Sequence, residues 1–196
     1  MRACLSAAAI AATTVFLGAQ PDRDWPQLYG PARNSTAPRI GPDASLSIAW
    51  KTPMPTGSAG IVAAGDRVYT LGSDGEQDIL FALDAGTGKE SWRVTLGQTH
   101  ADAITNGPGG TPVVSGDLVV AVSSRCQVQA VNSTTRQVAW THDLGAEYGS
   151  RFAKRGGCAV SPLLAGSRIV LVTGASQGPQ LAAFDVATGT PAWTTP

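Results

Sequence analysis

One eleven-residue pattern occurs three times in this chain of 196 residues and sharply limits what it can fold into. The copies run Ala82-Leu83-Asp84-Ala85-Gly86-Thr87-Gly88-Lys89-Glu90-Ser91-Trp92, then Ala130-Val131-Asn132-Ser133-Thr134-Thr135-Arg136-Gln137-Val138-Ala139-Trp140, then Ala183-Phe184-Asp185-Val186-Ala187-Thr188-Gly189-Thr190-Pro191-Ala192-Trp193. Each reads Ala-x-Asp/Asn-x-x-Thr-Gly/Arg-x-x-x-Trp. The tryptophans step by 48 and 53 residues, and Trp50 lies 42 before Trp92. A second marker keeps the same period. An apolar run, a turn glycine and another apolar run recur around Gly65, Gly116 and Gly166, at steps of 51 and 50. A period of this size means stacked units, none of which buries its apolar faces alone.

Within each period the sequence divides into four short segments rich in Val, Ile, Leu and Thr, separated by Gly, Asp and Ser. That is strand–turn–strand chemistry. In the second period we place the strands, labelled A to D, at about 111–115, 118–123, 127–132 and 137–142. Four antiparallel strands in about 40–50 residues describe one propeller blade. The predicted fold is therefore all-β: about three blades of a β-propeller plus one orphan strand around Trp50. Helical spacing is absent beyond the N-terminus. The abundance of Gly (23) and Pro (13) suits a turn-rich β protein.

The repeated motif has a structural reading. Asp84, Asn132 and Asp185 accept backbone N–H groups at the C–D turn, and Thr87 and Thr188 add hydroxyl bonds. Gly88 and Gly189 provide a positive φ beside a bulge. Trp92, Trp140 and Trp193 lie on strand D as blade-to-blade contacts. Arg136 stands where the other copies have Gly; a positive φ there costs about 1 kcal/mol.

Residues 1–19 differ from the rest. Arg2 is the only charge before Asp22, followed by an apolar stretch ending in small residues at Gly18-Ala19. This describes a secretory signal peptide cleaved after Ala19, with a membrane anchor as the alternative. Gln20 occupies the place of a lipoprotein's acylated Cys. The expectation is a periplasmic or secreted protein, divided into a signal peptide (1–19), a lead-in (20–45) and a partial propeller (46–196). No transmembrane span is expected after signal removal. The 14 basic and 14 acidic residues cancel, which argues against a nucleic-acid partner.

The blade motif resembles the pyrroloquinoline quinone (PQQ)-type repeat, Ala-x-Asp-x-x-Thr-Gly-x-x-x-Trp. Asp24-Trp25-Pro26-Gln27-Leu28-Tyr29-Gly30-Pro31 resembles the lead-in of exported PQQ-like proteins. The segments 106–112 and 157–163 resemble blade openings of the same group. The resemblance implies about eight blades in a complete ring. It also implies two functions: a non-catalytic binding or scaffold propeller of the cell envelope, similar to BamB, or the N-terminal part of a PQQ-dependent dehydrogenase oxidising alcohols or sugars. Only the second implies PQQ and calcium as cofactors, and no catalytic residue carries over. The partner implied is an envelope protein or a small-molecule ligand.

Loops on one face are the candidate site. B–C turns and D–A connections share a face in such blades, which places His100, Asp102, Asn106, Arg151 and Arg155 together, with Glu147, Tyr148 and Lys154 beside them. A solvated rim is the competing reading. Cys126 and Cys158 fall on the same face in adjacent blades. A disulfide is geometrically conceivable, but two unrelated thiols are the expectation. His100-Ala101-Asp102 and His142-Asp143 are pairs without a third ligand, read as surface residues, and no metal is expected.

Overall fold

The computed structural model describes residues 24–37, 41, 43, 45–100, 106–152 and 157–196. The proposed signal peptide, Asp102, Lys154 and Arg155 lie outside them. Among the described residues, twelve strands form three four-stranded antiparallel sheets in simple up-and-down order. The first holds β1 (Val62–Ala64), β2 (Arg67–Ser73), β3 (Gln77–Asp84) and β4 (Glu90–Gln98). The second holds β5 (Val113–Ser115), β6 (Leu118–Val122), β7 (Gln127–Asn132) and β8 (Val138–Asp143). The third holds β9 (Leu163–Ala165), β10 (Arg168–Val172), β11 (Leu181–Asp185) and β12 (Pro191–Thr194). β1 touches β5 and β5 touches β9, so the blades converge at their A strands. A short helix, α1 (Leu144–Tyr148), interrupts the second D–A connection, where the sequence shows no helical spacing. It forms because the Asp143 side chain caps it, accepting from the Ala146 amide, and Gly149 ends it at φ +65°.

Alternation along β5 and β6 explains the stacking. Val113, Val120 and Val122 point toward the third blade, with Ile169, Leu171 and Phe184, while Val114, Val119 and Ala121 point toward the first, with Leu71, Leu80 and Trp92. Both faces of the middle sheet are buried, so its strands read as continuous apolar runs. On the outer side of the first blade, Ile79, Phe81 and Leu83 pack with Trp50. The orphan segment around Trp50 is held by its indole N–H donating to Ala85 O (3.0 Å) and by Thr52 Oγ1 donating to Gly88 O (2.6 Å).

The three C–D turns are built alike. Asp84 Oδ1 accepts from the Thr87 amide and hydroxyl, Asn132 Oδ1 from the Thr134 and Thr135 amides, and Asp185 Oδ1 from the Thr188 amide and hydroxyl. A register shift falls at the same place in each, at Ala82/Leu83, Ala130/Val131 and Ala183/Phe184. The amides of Ala85, Ser133 and Val186 donate to Asp66 O, Asp117 O and Ser167 O, tying each C–D turn to its own A–B turn. Arg67 is paired with Asp84 and Arg168 with Asp185 across strands B and C. The second blade has Leu118 opposite Asn132, so both charges are missing together and no carboxylate is left without its cation.

The Thr87 hydroxyl and amide hold the Asp84 carboxyl below its ordinary value of 3.8, and the Thr188 amide does most to lower that of Asp185. A lowered pKa favours the folded state above the unfolded value, and the benefit disappears as pH falls through the folded one. Thr87→Val should therefore move the Asp84 titration up toward 3.8 in a carboxyl-carbon NMR experiment. An unmoved titration would show that Thr87 is not the main cause.

The lead-in follows a path that its sequence does not reveal. Trp25 exchanges two backbone hydrogen bonds with Ala63 on β1 (2.7 and 3.0 Å), Pro26 O accepts from the Val114 amide on β5 (2.7 Å), and Arg33 Nη1 donates to Leu164 O on β9 (3.4 Å). Ala63, Val114 and Leu164 occupy the same register position in their blades. The segment thus crosses the inner edges of three successive A strands.

Candidate functional site

The B–C/D–A face is organised around a carboxylate that the loop-based reading of the sequence passes over. Asp78, at the start of β3, is completely buried. Its Oδ1 accepts from Thr99 Oγ1 (2.9 Å) and its Oδ2 from the Ser124 amide (2.6 Å). Ser73 Oγ in turn bonds Thr99 Oγ1. Ser124 then reaches outward: its Oγ accepts from the His100 amide (2.7 Å), and its carbonyl accepts from the Cys158 amide (2.8 Å). One buried side chain therefore links the first blade, the B–C turn of the second and the opening of the third. A polar group taken out of water needs such partners. Its signal in the sequence is an Asp inside an apolar strand, Gln77-Asp78-Ile79-Leu80-Phe81.

The expectation of two separate thiols is corrected. Cys126 and Cys158 form a disulfide with Cα atoms 5.2 Å apart. Both are buried, and the turn holds Cys126 at φ +65°, which aims its side chain at the neighbouring blade. His142 is also not a surface residue. Its ring lies against Phe184 (4.2 Å between centroids), its Nε2 is 2.7 Å from Gly189 O, and its Nδ1 faces the Glu147 carboxylate at 3.0 Å. It therefore joins the second blade to the third, and Asp143 serves as the helix cap.

The predicted face residues are distributed along two blade junctions. His100 lies against Gly157, where an added Cβ would be 3.4 Å from its Cδ2. Asn106 is exposed. Arg151 is exposed, and its amide donates to Gly174 O (2.9 Å). Tyr148 packs against the core between the second and third blades, where burial raises its pKa. Among the described residues, no three His, Cys, Asp or Glu side chains converge to hold a metal. A calcium ion takes six to eight oxygens, and no such set of carboxylates stands among the described residues.

On the opposite face, the tryptophans make the blade-to-blade joints. Trp140 Nε1 donates to Val186 O (2.9 Å) as Trp50 does to Ala85 O. The glycine of the receiving turn meets the indole so closely that a Cβ at Gly189 would lie 2.6 Å from Trp140 Cγ. Gly88 and Gly189 have φ of +69° and +72°, and Arg136 keeps the same conformation at +65°. Arg136→Gly should accordingly raise stability by about 1 kcal/mol. A clear loss in thermal unfolding would reject this turn geometry.

Stacked four-stranded sheets with converging A strands and tryptophan joints define the molecule as part of a β-propeller. A family model described as outer membrane protein assembly factor BamB matches residues 43–196, and the chain belongs to that PQQ-like repeat family. Similar solved structures include BamB from Moraxella catarrhalis, with 23% identity, TM-score 0.53, and coverage of 76% of this chain and 40% of that one. The quinohemoprotein alcohol dehydrogenase of Comamonas testosteroni has 13% identity, TM-score 0.62 and coverage of 91% and 28%. Quinohemoprotein alcohol dehydrogenase ADHIIG of Pseudomonas putida HK5 has 19% identity, TM-score 0.55 and coverage of 76% and 22%. At these identities the likeness concerns the fold. The chain spans 22–40% of the length of these three proteins. No curated protein matches it in sequence. Among the described residues, no helix is long and apolar enough to cross a membrane.

Proposed function

We propose that the protein is an exported, non-catalytic propeller that serves as a binding or scaffold module of the cell envelope. Its partner meets the B–C/D–A face at His100, Asp102, Asn106, Arg151 and Arg155. The observation that supports this reading is the use made of the polar groups on that face. Both oxygens of Asp78 are committed to Thr99 and Ser124, and the two cysteines are committed to each other. Such a face is a fixed platform whose described charged groups, Asp74, Glu76, Arg125, Glu147 and Arg151, stand at the surface. The description of the matching family, an outer membrane assembly factor, agrees with it. Residues 1–19 are proposed to direct export, and residues 46–196 to form the first blades of the ring.

A second reading, the N-terminal part of a PQQ-dependent dehydrogenase, is supported by the likeness to quinohemoprotein alcohol dehydrogenases. Two measurements on the full-length protein separate them. Deleting the gene should lower the amount of folded outer-membrane barrel proteins, while protein incubated with PQQ and Ca²⁺ should emerge from gel filtration without quinone. Stoichiometric quinone retention with dye-linked alcohol or sugar oxidation, at unchanged barrel levels, would establish the second reading instead.

A further inference from the structure

The blade-to-blade joints on the A–B/C–D face are not equivalent. Trp50 and Trp140 each donate their indole N–H to a carbonyl of the next C–D turn and lie flat on its glycine. A Cβ on Gly88 would come within 2.3 Å of Trp50 Cε3, and one on Gly189 within 2.6 Å of Trp140 Cγ. The turn that faces Trp92 carries Arg136 at this position, so Trp92 cannot seat in the same way. Trp92 is only 7% exposed, yet none of the described residues accepts a hydrogen bond from its indole N–H. Beside it opens a cavity of about 520 Å³ between the first and second blades. Its charged lining is Asp24, Asp66, Arg67, Asp117 and Arg136, Ser133 adds a hydroxyl, and Tyr69 lies next to Trp92. The two rings stand 5.8 Å apart at a tilt of 52°.

We propose that this joint is a binding site for a neutral polyhydroxylated ligand, a mono- or disaccharide. The volume falls in the range of small-molecule sites, far beyond one water. The Trp92 N–H and the Arg136 guanidinium supply donors. The carboxylates of Asp66 and Asp117 supply acceptors, and the Ser133 hydroxyl serves as either. Asp66 is already paired with Arg67 at 2.8 Å and Asp24 Oδ1 accepts from the Gly65 amide; with three carboxylates, Asp24, Asp66 and Asp117, against two guanidiniums, Arg67 and Arg136, the lining turns anions away. Among the described residues no metal-holding group exists. A ring bearing hydroxyls matches such alternating donors and acceptors. Arg136 keeps a positive φ where its counterparts are glycines, the kind of local strain that is retained where a site requires it. The site is on the face opposite the proposed partner platform and does not depend on the scaffold reading.

The test uses the full chain, titrated by tryptophan fluorescence and calorimetry with glucose, maltose, cellobiose and, as a control, trialanine. At least one of the sugars should bind saturably with a dissociation constant of about 1 mM or tighter. Trp92→Phe, which keeps an aromatic ring and removes the N–H, should weaken that binding about tenfold. Arg136→Gly should abolish it, because Trp92 then settles on the turn, while the protein melts no lower than wild type. Binding of trialanine alone, binding of none of the sugars, or unchanged sugar affinity in Arg136→Gly would overturn the proposal.

Discussion

The double replacement Cys126→Ser with Cys158→Ser should lower the stability of the folded protein by about 3–4 kcal/mol. The bond closes a loop across a separation of 32 residues. A cross-link of that length removes chain entropy from the unfolded state on this scale. For a chain of this size the loss corresponds to a fall of roughly 10 °C in melting temperature. Thermal unfolding of wild type and variant checks it, and added reductant should bring wild type to the variant's value once the unfolded chain becomes accessible. The expected effect is large because both sulfurs lie inside the packed junction between the second and third blades, where Cys126 and Cys158 belong to the same apolar cluster as Val128, Leu144 and Ile169. A variant that melts with wild type would mean that these thiols are not joined in solution.

Trp140→Ala should cost about 3–5 kcal/mol, the usual range for removing a large buried aromatic. Its indole is 8% exposed, covers Gly189 and donates to Val186 O. Trp193 holds the same motif position but is 45% exposed. Trp193→Ala in this chain should cost less, about 1–2 kcal/mol, since only a little over half of its surface is buried. The contrast between two tryptophans of one motif, measured by denaturant unfolding, isolates the contribution of docking on a neighbouring turn. Equal losses would show that the indole acts within its own sheet.

The repeat, the four strands of each period and the chemistry of the turns were all legible in the sequence, because they depend on local backbone preferences that recur at a fixed period. In the second blade the expected strands at 111–115, 118–123, 127–132 and 137–142 compare with observed bounds of Val113–Ser115, Leu118–Val122, Gln127–Asn132 and Val138–Asp143. What escaped depends on contacts between periods. Whether Cys126 meets Cys158 is decided by how far one blade is rotated from the next, and no local pattern encodes that angle. Asp78 reads as a strand residue until Thr99 and Ser124 arrive from two other loops. His142 looks exposed on an edge strand until Gly189 of the next blade supplies its acceptor. The helix Leu144–Tyr148 spans little more than one turn, too short to produce a periodic signal.

The lead-in has one more consequence. An inner strand with no neighbour offers open N–H and C=O groups to any extended peptide, the usual route to intermolecular association. Here the chain's own Trp25 and Pro26 fill those vacancies on Ala63 and Val114, like a hem stitched along the raw margin of cloth. A version starting after Pro31 would have that margin unstitched. It should form soluble oligomers in light scattering at concentrations where the longer protein stays dispersed, so expression boundaries for this protein belong upstream of Asp24.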